Sequence, residues 1–265
     1  MDSLSFDRMA ELYEETRVFD ESCFSAALTY LTDRFPPSSY RNMFYPGIGT
    51  GRIALPLARK GYSISGIDIS KDMLALLKDK LSREGGYLLV DFQTGDVTDL
   101  PFSDNYFDIA IAVHLFYFIR DWKTAVDEIL RVVKSDGAFV LMHTGMGTEV
   151  PLVNEKYEAL CAEYGCDIPV LGASSTREIA DYCENLGYNI EWIRDRWQWL
   201  FSIQLGKALD YMRLRAYSST VFVPEEVHTR VMDDLTDEVE RVFGSLSVEI
   251  HVPNQIYLAI ISRTD

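Results

Sequence analysis

The middle of the chain alternates between short apolar runs and segments with helical spacing of apolar residues. The apolar runs predict five strands, at 41–45, 62–67, 87–93, 107–113 and 138–143. The segments between them predict helices at 52–60, 71–82 and 122–134. Strand and helix in regular alternation are typical of an α/β fold, a doubly wound Rossmann-like parallel sheet with helices on both faces.

The two flanks have a different pattern. Helices are predicted first at 5–17 and 22–35, and later at 152–164, 175–186, 202–217 and 224–243. Two further strands are predicted at 189–198 and 248–262. We expect these strands to pair antiparallel at the C-terminal edge of the sheet, with the late helices forming a lobe over its rim.

This pattern divides one structural domain into three parts. Residues 1–39 supply helices that cover the ligand site, 40–145 form the ligand-binding core, and 146–265 supply the edge strands and the helical lobe.

The chain of 265 residues has 25 Lys and Arg against 41 Asp and Glu, a formal net charge of −16. This charge argues against nucleic acid and anionic membrane surfaces as partners, because both are bound through basic residues. Residues 40–145 carry 13 acids and 12 bases, so the excess acid lies in the flanks. If those acids line the ligand site, a neutral or cationic ligand is favoured.

Three features missing from the sequence bear on its cellular compartment and on metal binding: metal-ligand spacing of cysteines, a secretory signal and a long apolar run. The four cysteines show no metal-ligand spacing, which predicts no metal site. There is no secretory signal pattern and no apolar run approaching the roughly 18 residues of a membrane span. We therefore expect a cytoplasmic protein with reduced thiols. The sequence sets no oligomeric state.

A glycine-rich turn follows the first core strand. Gly47, Gly49 and Gly51 allow close approach of a ligand, and the next helix presents free N–H groups to it. Asp68 ends the second strand, where a carboxylate would accept hydrogen bonds from ribose hydroxyls or, alternatively, cap the next helix. Arg52 occupies the place of the third glycine of a dinucleotide fingerprint, which favours a nucleoside without phosphates over a nicotinamide cofactor.

Five segments in register carry a family resemblance: 46–52, 66–74, 95–102, 107–110 and 128–134. Together they resemble the ordered motifs of class I S-adenosylmethionine-dependent methyltransferases over roughly residues 40–145. The resemblance is nearest to the small-molecule branch typical of ubiquinone and menaquinone biosynthesis, and the N-terminal Phe6, Asp7, Tyr13 and Arg17 also resemble that branch.

The resemblance implies S-adenosyl-L-methionine as the cofactor. The glycine turn would hold the methionine part, the segment around Asp68 the ribose, and the segment around Asp96 the adenine. Arg17 would pair with the methionine carboxylate or, alternatively, with surface acids Glu14 or Asp20. The residues expected at the cofactor are Tyr13, Arg17, Tyr45, Gly47, Gly49, Gly51, Asp68, Ile69, Met73, Asp96, Val97 and His114.

Tyr45 departs from the family pattern. The resembled family usually has Asp or Glu two residues before the first glycine, where it helps hold the cationic amino end of the methionine moiety. Tyr45 carries no charge near neutral pH. Cofactor binding is then weaker or a different moiety lies at the turn, unless the Tyr45 hydroxyl or backbone carbonyls compensate.

Candidate chemistry follows the fourth and fifth strands. His114 is a candidate general base at the rim, or alternatively a packing residue against the cofactor or the lobe. Tyr117, His143 and Tyr217 are candidate contacts for the acceptor.

These features predict an enzyme that moves a methyl group from the cofactor to an oxygen, nitrogen or carbon of a small-molecule acceptor. The alternative is a non-catalytic S-adenosylmethionine-binding or scaffold protein of the same fold, which Tyr45 and the lack of a decisive base favour.

Overall fold

The computed structural model describes residues 12–145 and 147–264 and contains a seven-stranded sheet in the order β3-β2-β1-β4-β5-β7-β6. The first five strands pair with one another in parallel, and β7 is antiparallel to both β5 and β6. The strands are β1 Asn42–Pro46, β2 Ser63–Asp68, β3 Val90–Thr94, β4 Phe107–Val113, β5 Val133–His143, β6 Tyr188–Gln204 and β7 Glu249–Arg263. The predicted Rossmann-like sheet with an antiparallel C-terminal edge is confirmed.

The helices follow the predicted order. They are α1 Tyr13–Thr16, α2 Glu21–Arg34, α3 Ala54–Arg59, α4 Lys71–Arg83, α5 Trp122–Val132, α6 Pro151–Glu163, α7 Thr176–Asn185, α8 Leu205–Arg213, α9 Ser218–Val221 and α10 Glu225–Phe243, with a 3₁₀ turn at Phe116–Phe118. Residues 5–11 of the first predicted helix, including Phe6 and Asp7, lie outside the described residues.

The central strand β4 is buried on both faces of the sheet. Ile109 and Ile111 belong to the apolar cluster on the side of α2, α3 and α4. Ala110 and Ala112 point the other way, into the cluster that includes α5 and α7. Successive strand side chains alternate between faces, so an uninterrupted apolar run is what a strand covered by helices on both sides requires.

The predicted helix at 202–217 is wrong at its start and in its continuity. Strand β6 extends to Gln204, because Ser202 and Gln204 continue the ladder opposite His251 and Glu249 of β7. Helix α8 then ends before Arg215, which has a φ of 56°, and α9 follows as a separate turn of helix. Side-chain periodicity could not reveal a strand whose pairing partner lies some fifty residues later.

The C-terminal lobe has an apolar core of its own. Helices α6, α8 and α10 pack side chains such as Tyr157, Leu209 and Leu235 against the ends of β6 and β7. Among residues 12–145 and 147–264, no helix has the length and apolar character needed to span a membrane.

Two valines of α10 provide a test of the lobe core. Val231 is fully buried, whereas Val242 of the same helix is 51% exposed. Val231→Ala is expected to lower the free energy of unfolding by about 2 kcal/mol through lost burial and the cavity left behind. Val242→Ala should change it by less than about 0.5 kcal/mol. Urea unfolding measures both, and equal effects would contradict the packing of α10. Both variants make the same chemical change in the same helix, so the difference reports mainly burial.

Candidate functional site

One cavity of about 510 Å³ opens at the carboxyl ends of the parallel strands. This is where doubly wound sheets bind ligands, and the volume lies within the roughly 300–1,000 Å³ of small-molecule sites. Its wall includes most of the residues that the sequence predicts as site residues: Tyr13, Arg17, Gly47, Gly49, Asp68, Ile69, Met73, Asp96, Val97, His114, Tyr117 and His143.

The glycine turn contributes backbone to the cavity wall. Gly49 has a φ of 54°, and a methyl group added there would have only one heavy atom within 4 Å, a carbonyl oxygen at 3.9 Å. Gly51 lies behind the wall instead, where an added Cβ would collide with Leu77 of α4. Gly49 therefore leaves room for a ligand, whereas Gly47 permits close approach of Leu115 and Gly51 permits close packing of the turn on α4.

Asp68 ties the end of β2 to the glycine turn. Its Oδ2 accepts a hydrogen bond from the Gly49 N–H at 2.8 Å, and its Oδ1 accepts one from the Ser70 N–H at 2.9 Å. Ser70 in turn caps α4 by accepting from the Met73 N–H at 3.1 Å. Ser70, not Asp68, is therefore the N-cap of α4, and Asp68 lines the cavity while it orders the link between β2 and that helix.

A second acid is fixed in the loop after β3. Asp96 Oδ1 accepts hydrogen bonds from the N–H and the hydroxyl of Thr98, at 2.9 and 2.8 Å. Arg131 of α5 holds the continuation of this loop by donating to the carbonyl oxygens of Leu100 and Phe102, at 3.1 and 2.8 Å. Asp96 and Val97 are thereby held at the cavity.

Helix α1 forms a roof over the glycine turn. Thr50 donates a hydrogen bond to Glu14 at 2.6 Å, Lys80 pairs with the same carboxylate, and Arg52 donates to the carbonyl of Arg17. Glu14 is thus engaged elsewhere, and Arg17 Nη1 is buried without a hydrogen-bond partner in the described part of the chain. The surface pairing considered for Arg17 is wrong, since its side chain turns into the cavity.

Tyr45 and Tyr217 lie behind the cavity wall. The predictions that Tyr45 and Gly51 contact the cofactor and that Tyr217 contacts the acceptor are therefore wrong. Tyr45 is 4% exposed, and its side chain packs in the apolar core on one face of the sheet rather than at the rim. Burial raises the pKa of its phenol, so it stays neutral. Tyr217 is 1% exposed and donates to the Thr148 carbonyl at 3.1 Å, which gives it a structural role.

His114 is held by the segment after β5. The Thr144 N–H donates to His114 Nε2 at 3.1 Å, so that nitrogen carries the lone pair and Nδ1 carries the proton. Burial lowers the pKa of His114 well below its ordinary value. The residue has a φ of 52°, a strained conformation of the kind found at functional sites. To act as a general base, Nε2 would have to give up its hydrogen bond from Thr144 and accept a proton from the substrate. That role stays a prediction.

The far end of the cavity is aromatic and hydroxyl-rich. His143 stacks on Tyr257 at 4.5 Å between ring centroids, and its Nδ1 is buried without a hydrogen-bond partner in the described part of the chain. Tyr257 and Tyr117 both reach the Thr176 hydroxyl, at 3.2 and 2.8 Å. This end can pack a flat or apolar molecule and offer it a few polar contacts.

Sequence reasoning missed several residues of the wall, among them Glu149, Thr176 and Tyr257. Tyr257 faces His143 across the β5–β7 ladder, so the register of that pairing is the signal that finds it. Within residues 12–145 and 147–264, no group of three or more His, Cys, Asp or Glu side chains could hold a metal ion.

The strand order, the glycine turn and the acid ending β2 define the class I methyltransferase architecture. Residues 45–141 match the family described as the methyltransferase domain. The crystal structure of YcgJ from Bacillus subtilis superposes with a TM-score of 0.61 at 20% identity, over 91% of this chain and 100% of that one. That likeness shows the same fold.

Two relatives support the same family at the level of sequence. The uncharacterized methyltransferase YcgJ of Bacillus subtilis is 30% identical over 137 residues, which are 52% of this chain and 53% of that protein. A demethylmenaquinone methyltransferase of Bacillus velezensis is 36% identical over 87 residues, 33% of this chain and 37% of that protein. The chain thus spans about half or less of the length of these relatives.

The burial of His143 predicts a pH dependence of stability. Burial lowers its pKa to about 4, so the unfolded chain takes up the proton first as the pH falls through about 6.5. The free energy of unfolding is therefore unaffected by His143 above pH 6.5. Between pH 6.5 and pH 4 it falls by up to ~1.4 kcal/mol per pH unit, because only the unfolded chain is protonated there.

His143→Phe keeps the ring stack on Tyr257 but cannot titrate. The unfolding free energy of this variant should fall less steeply between pH 6.5 and 4.5 than that of the wild type, measured by urea unfolding at each pH. Parallel curves for the two proteins would show that His143 is protonated equally in both states.

Proposed function

We propose that this protein is an S-adenosyl-L-methionine-dependent methyltransferase that methylates an oxygen, nitrogen or carbon of a small molecule. The observation that carries the proposal is a single cavity whose one end is the glycine turn with Asp68 and Asp96, and whose other end is the aromatic pocket around His143 and Tyr257. Methyl transfer between two bound molecules needs both in one enclosed space.

The residues present fit this cofactor. Backbone at Gly47 and Gly49 would lie along the methionine part, the segment from Asp68 to Met73 along the ribose, and Asp96 with Val97 along the adenine. The buried, unpaired Nη1 of Arg17 would donate to a carboxylate. When bound, the sulfonium supplies the methyl group, and the chain's own residues orient the acceptor and exclude water.

The acceptor end favours a neutral, partly aromatic or apolar molecule. Tyr117, Phe118, Ile119 and Tyr257 supply apolar wall, and the polar groups of Ser174 to Thr176 lie beside them. Relatives include a demethylmenaquinone methyltransferase and an ajmaline N-methyltransferase of Rauvolfia serpentina, which support an acceptor of small-molecule size without fixing the atom methylated.

Location and partners follow from composition. We propose a cytoplasmic protein whose partner is a small molecule rather than nucleic acid or a membrane. The free state of Cys23, Cys161, Cys166 and Cys183 supports a reducing compartment, and the net charge of −16 disfavours polyanions.

The alternative of a non-catalytic S-adenosylmethionine-binding protein has one specific observation behind it. Thr144 occupies the accepting nitrogen of His114, so the pocket lacks an unengaged base at that position. A methyl-transfer assay with a panel of amines, phenols and carboxylates separates the two functions. Turnover of any acceptor supports the enzyme, and inactivity across the panel despite tight binding of S-adenosylhomocysteine supports the binding protein.

Two glycines with the same backbone cost test the cofactor site. Gly49 at the cavity has a φ of 54°, and the exposed Gly85 has a φ of 72° with nothing within 4 Å of an added Cβ. Alanine at either position should cost about 1–2 kcal/mol of stability, the penalty of the left-handed region. Only Gly49→Ala should also weaken S-adenosylhomocysteine binding, by tenfold or more, because its methyl group occupies ligand space.

Isothermal titration calorimetry with S-adenosylhomocysteine measures this difference directly. Equal affinities of the Gly49→Ala and Gly85→Ala variants would mean that the ligand does not lie along the glycine turn. Absence of binding by the wild type would remove the proposed cofactor altogether.

A further inference from the structure

Two side chains of opposite formal charge, Arg17 and Glu149, lie near each other in the cavity wall. Arg17 follows α1, and Glu149 lies in the segment between β5 and α6; both line the cavity. Arg17 Nη1 is buried without a hydrogen-bond partner, and neither residue takes part in an ion pair within the described ranges. Two buried opposite charges that do not bond each other leave an environment suited to a ligand carrying both signs.

Hydrogen bonds fix the backbone on both sides of this pair. The N–H and the hydroxyl of Thr148 donate to the Thr16 carbonyl, at 3.0 and 3.2 Å. Gly147 makes this approach feasible, because a Cβ there would collide with the same carbonyl. Residues 17 and 149 are the immediate neighbours of Thr16 and Thr148, so their side chains emerge close together from an ordered contact.

The Arg17 guanidinium is held in place by aromatic rings. Its Cζ lies 5.8 Å from the ring centroids of both Tyr13 and Tyr217. Such cation–π contacts orient a guanidinium without using up its N–H donors. Arg17 is therefore positioned before a ligand arrives.

Glu149 differs from the other carboxylates of the cavity wall. Asp68 accepts hydrogen bonds from Gly49 and Ser70, and Asp96 accepts them from Thr98. Glu149 is only 9% exposed, and its carboxylate accepts no hydrogen bond from the residues that the structure describes. Burial raises the pKa of Glu149 and the charge of Arg17 offsets only part of this, so a bound cation would stabilise the ionised form.

We infer that Glu149 and Arg17 form a clamp for a zwitterionic α-amino-acid group, with Glu149 accepting from the ammonium and Arg17 donating to the carboxylate. The inference rests on the proposed function, because S-adenosylmethionine ends in such a group. Glu149 thereby supplies the negative charge that Tyr45, neutral and behind the wall, does not bring to this site. Neither sequence periodicity nor the glycine motif identifies Glu149 for this role.

The test compares two ligands that differ only at the clamp. S-adenosylhomocysteine carries the amino-acid group, whereas 5′-methylthioadenosine keeps the adenine, ribose and sulfur without it. Glu149→Gln preserves shape and removes the charge, and Glu155→Gln makes the same change on an exposed position of α6. Calorimetry of both ligands is carried out on the wild type and on both variants.

Glu149→Gln is expected to lower S-adenosylhomocysteine affinity by tenfold or more, the loss typical of a hydrogen bond between charged groups. Its affinity for 5′-methylthioadenosine should stay within twofold of the wild type, as should both affinities of Glu155→Gln. Arg17→Gln should show the same selective loss as Glu149→Gln.

Two results would overturn the clamp while leaving the proposed function intact. One is unchanged S-adenosylhomocysteine affinity in Glu149→Gln; the other is an equal loss for both ligands, which would mark Glu149 as a general support of the site. If the wild type binds neither ligand, the proposed function fails and the clamp fails with it.

Discussion

Burial of the central strands on both faces is the constraint from which the site follows. Strand β4 sends Ile109 and Ile111 into one apolar layer and Ala110 and Ala112 into the other, so neither face of the sheet is open to a ligand. The strand ends are where loops diverge, because each parallel strand must leave the sheet there to begin its crossover helix. The cavity at the carboxyl edge is thus a consequence of topology, before any particular side chain is considered.

Closure of that edge depends on contacts between distant parts of the chain. The Thr16 carbonyl receives both donors of Thr148, and Thr50 at the glycine turn donates to Glu14 of the roof. These hydrogen bonds hold α1 between the glycine turn and the segment after β5. Among the residues that the structure describes, the roof is thus fastened to both sides of the cavity by polar contacts.

Local patterns predicted the parts of the molecule that local physics determines. Strand β4 occupies 107–113 as expected, and the Ser70 cap starts α4 where the sequence indicates it, since burial and capping act over a few residues. The β6 extension, and the meeting of His143 with Tyr257, depend on the β5–β7–β6 ladders between segments far apart in sequence. No periodicity within either segment encodes that register, which is why the aromatic end of the cavity was predicted only in part.

The net charge illustrates the same distinction between composition and position. Acidic flanks suggested an acidic ligand site, yet the acids of α10 are mostly exposed on the outside of the lobe, as at Glu225, Asp233 and Glu240. Of the acids after residue 145 that the structure describes, Glu149 is the one in the cavity wall, and it stands beside Arg17. Two buried charged groups next to a ligand interact with it more strongly than many surface charges do, because water and salt screen surface charges over about 10 Å. The proposed clamp therefore rests on one carboxylate and one guanidinium rather than on the total charge of −16.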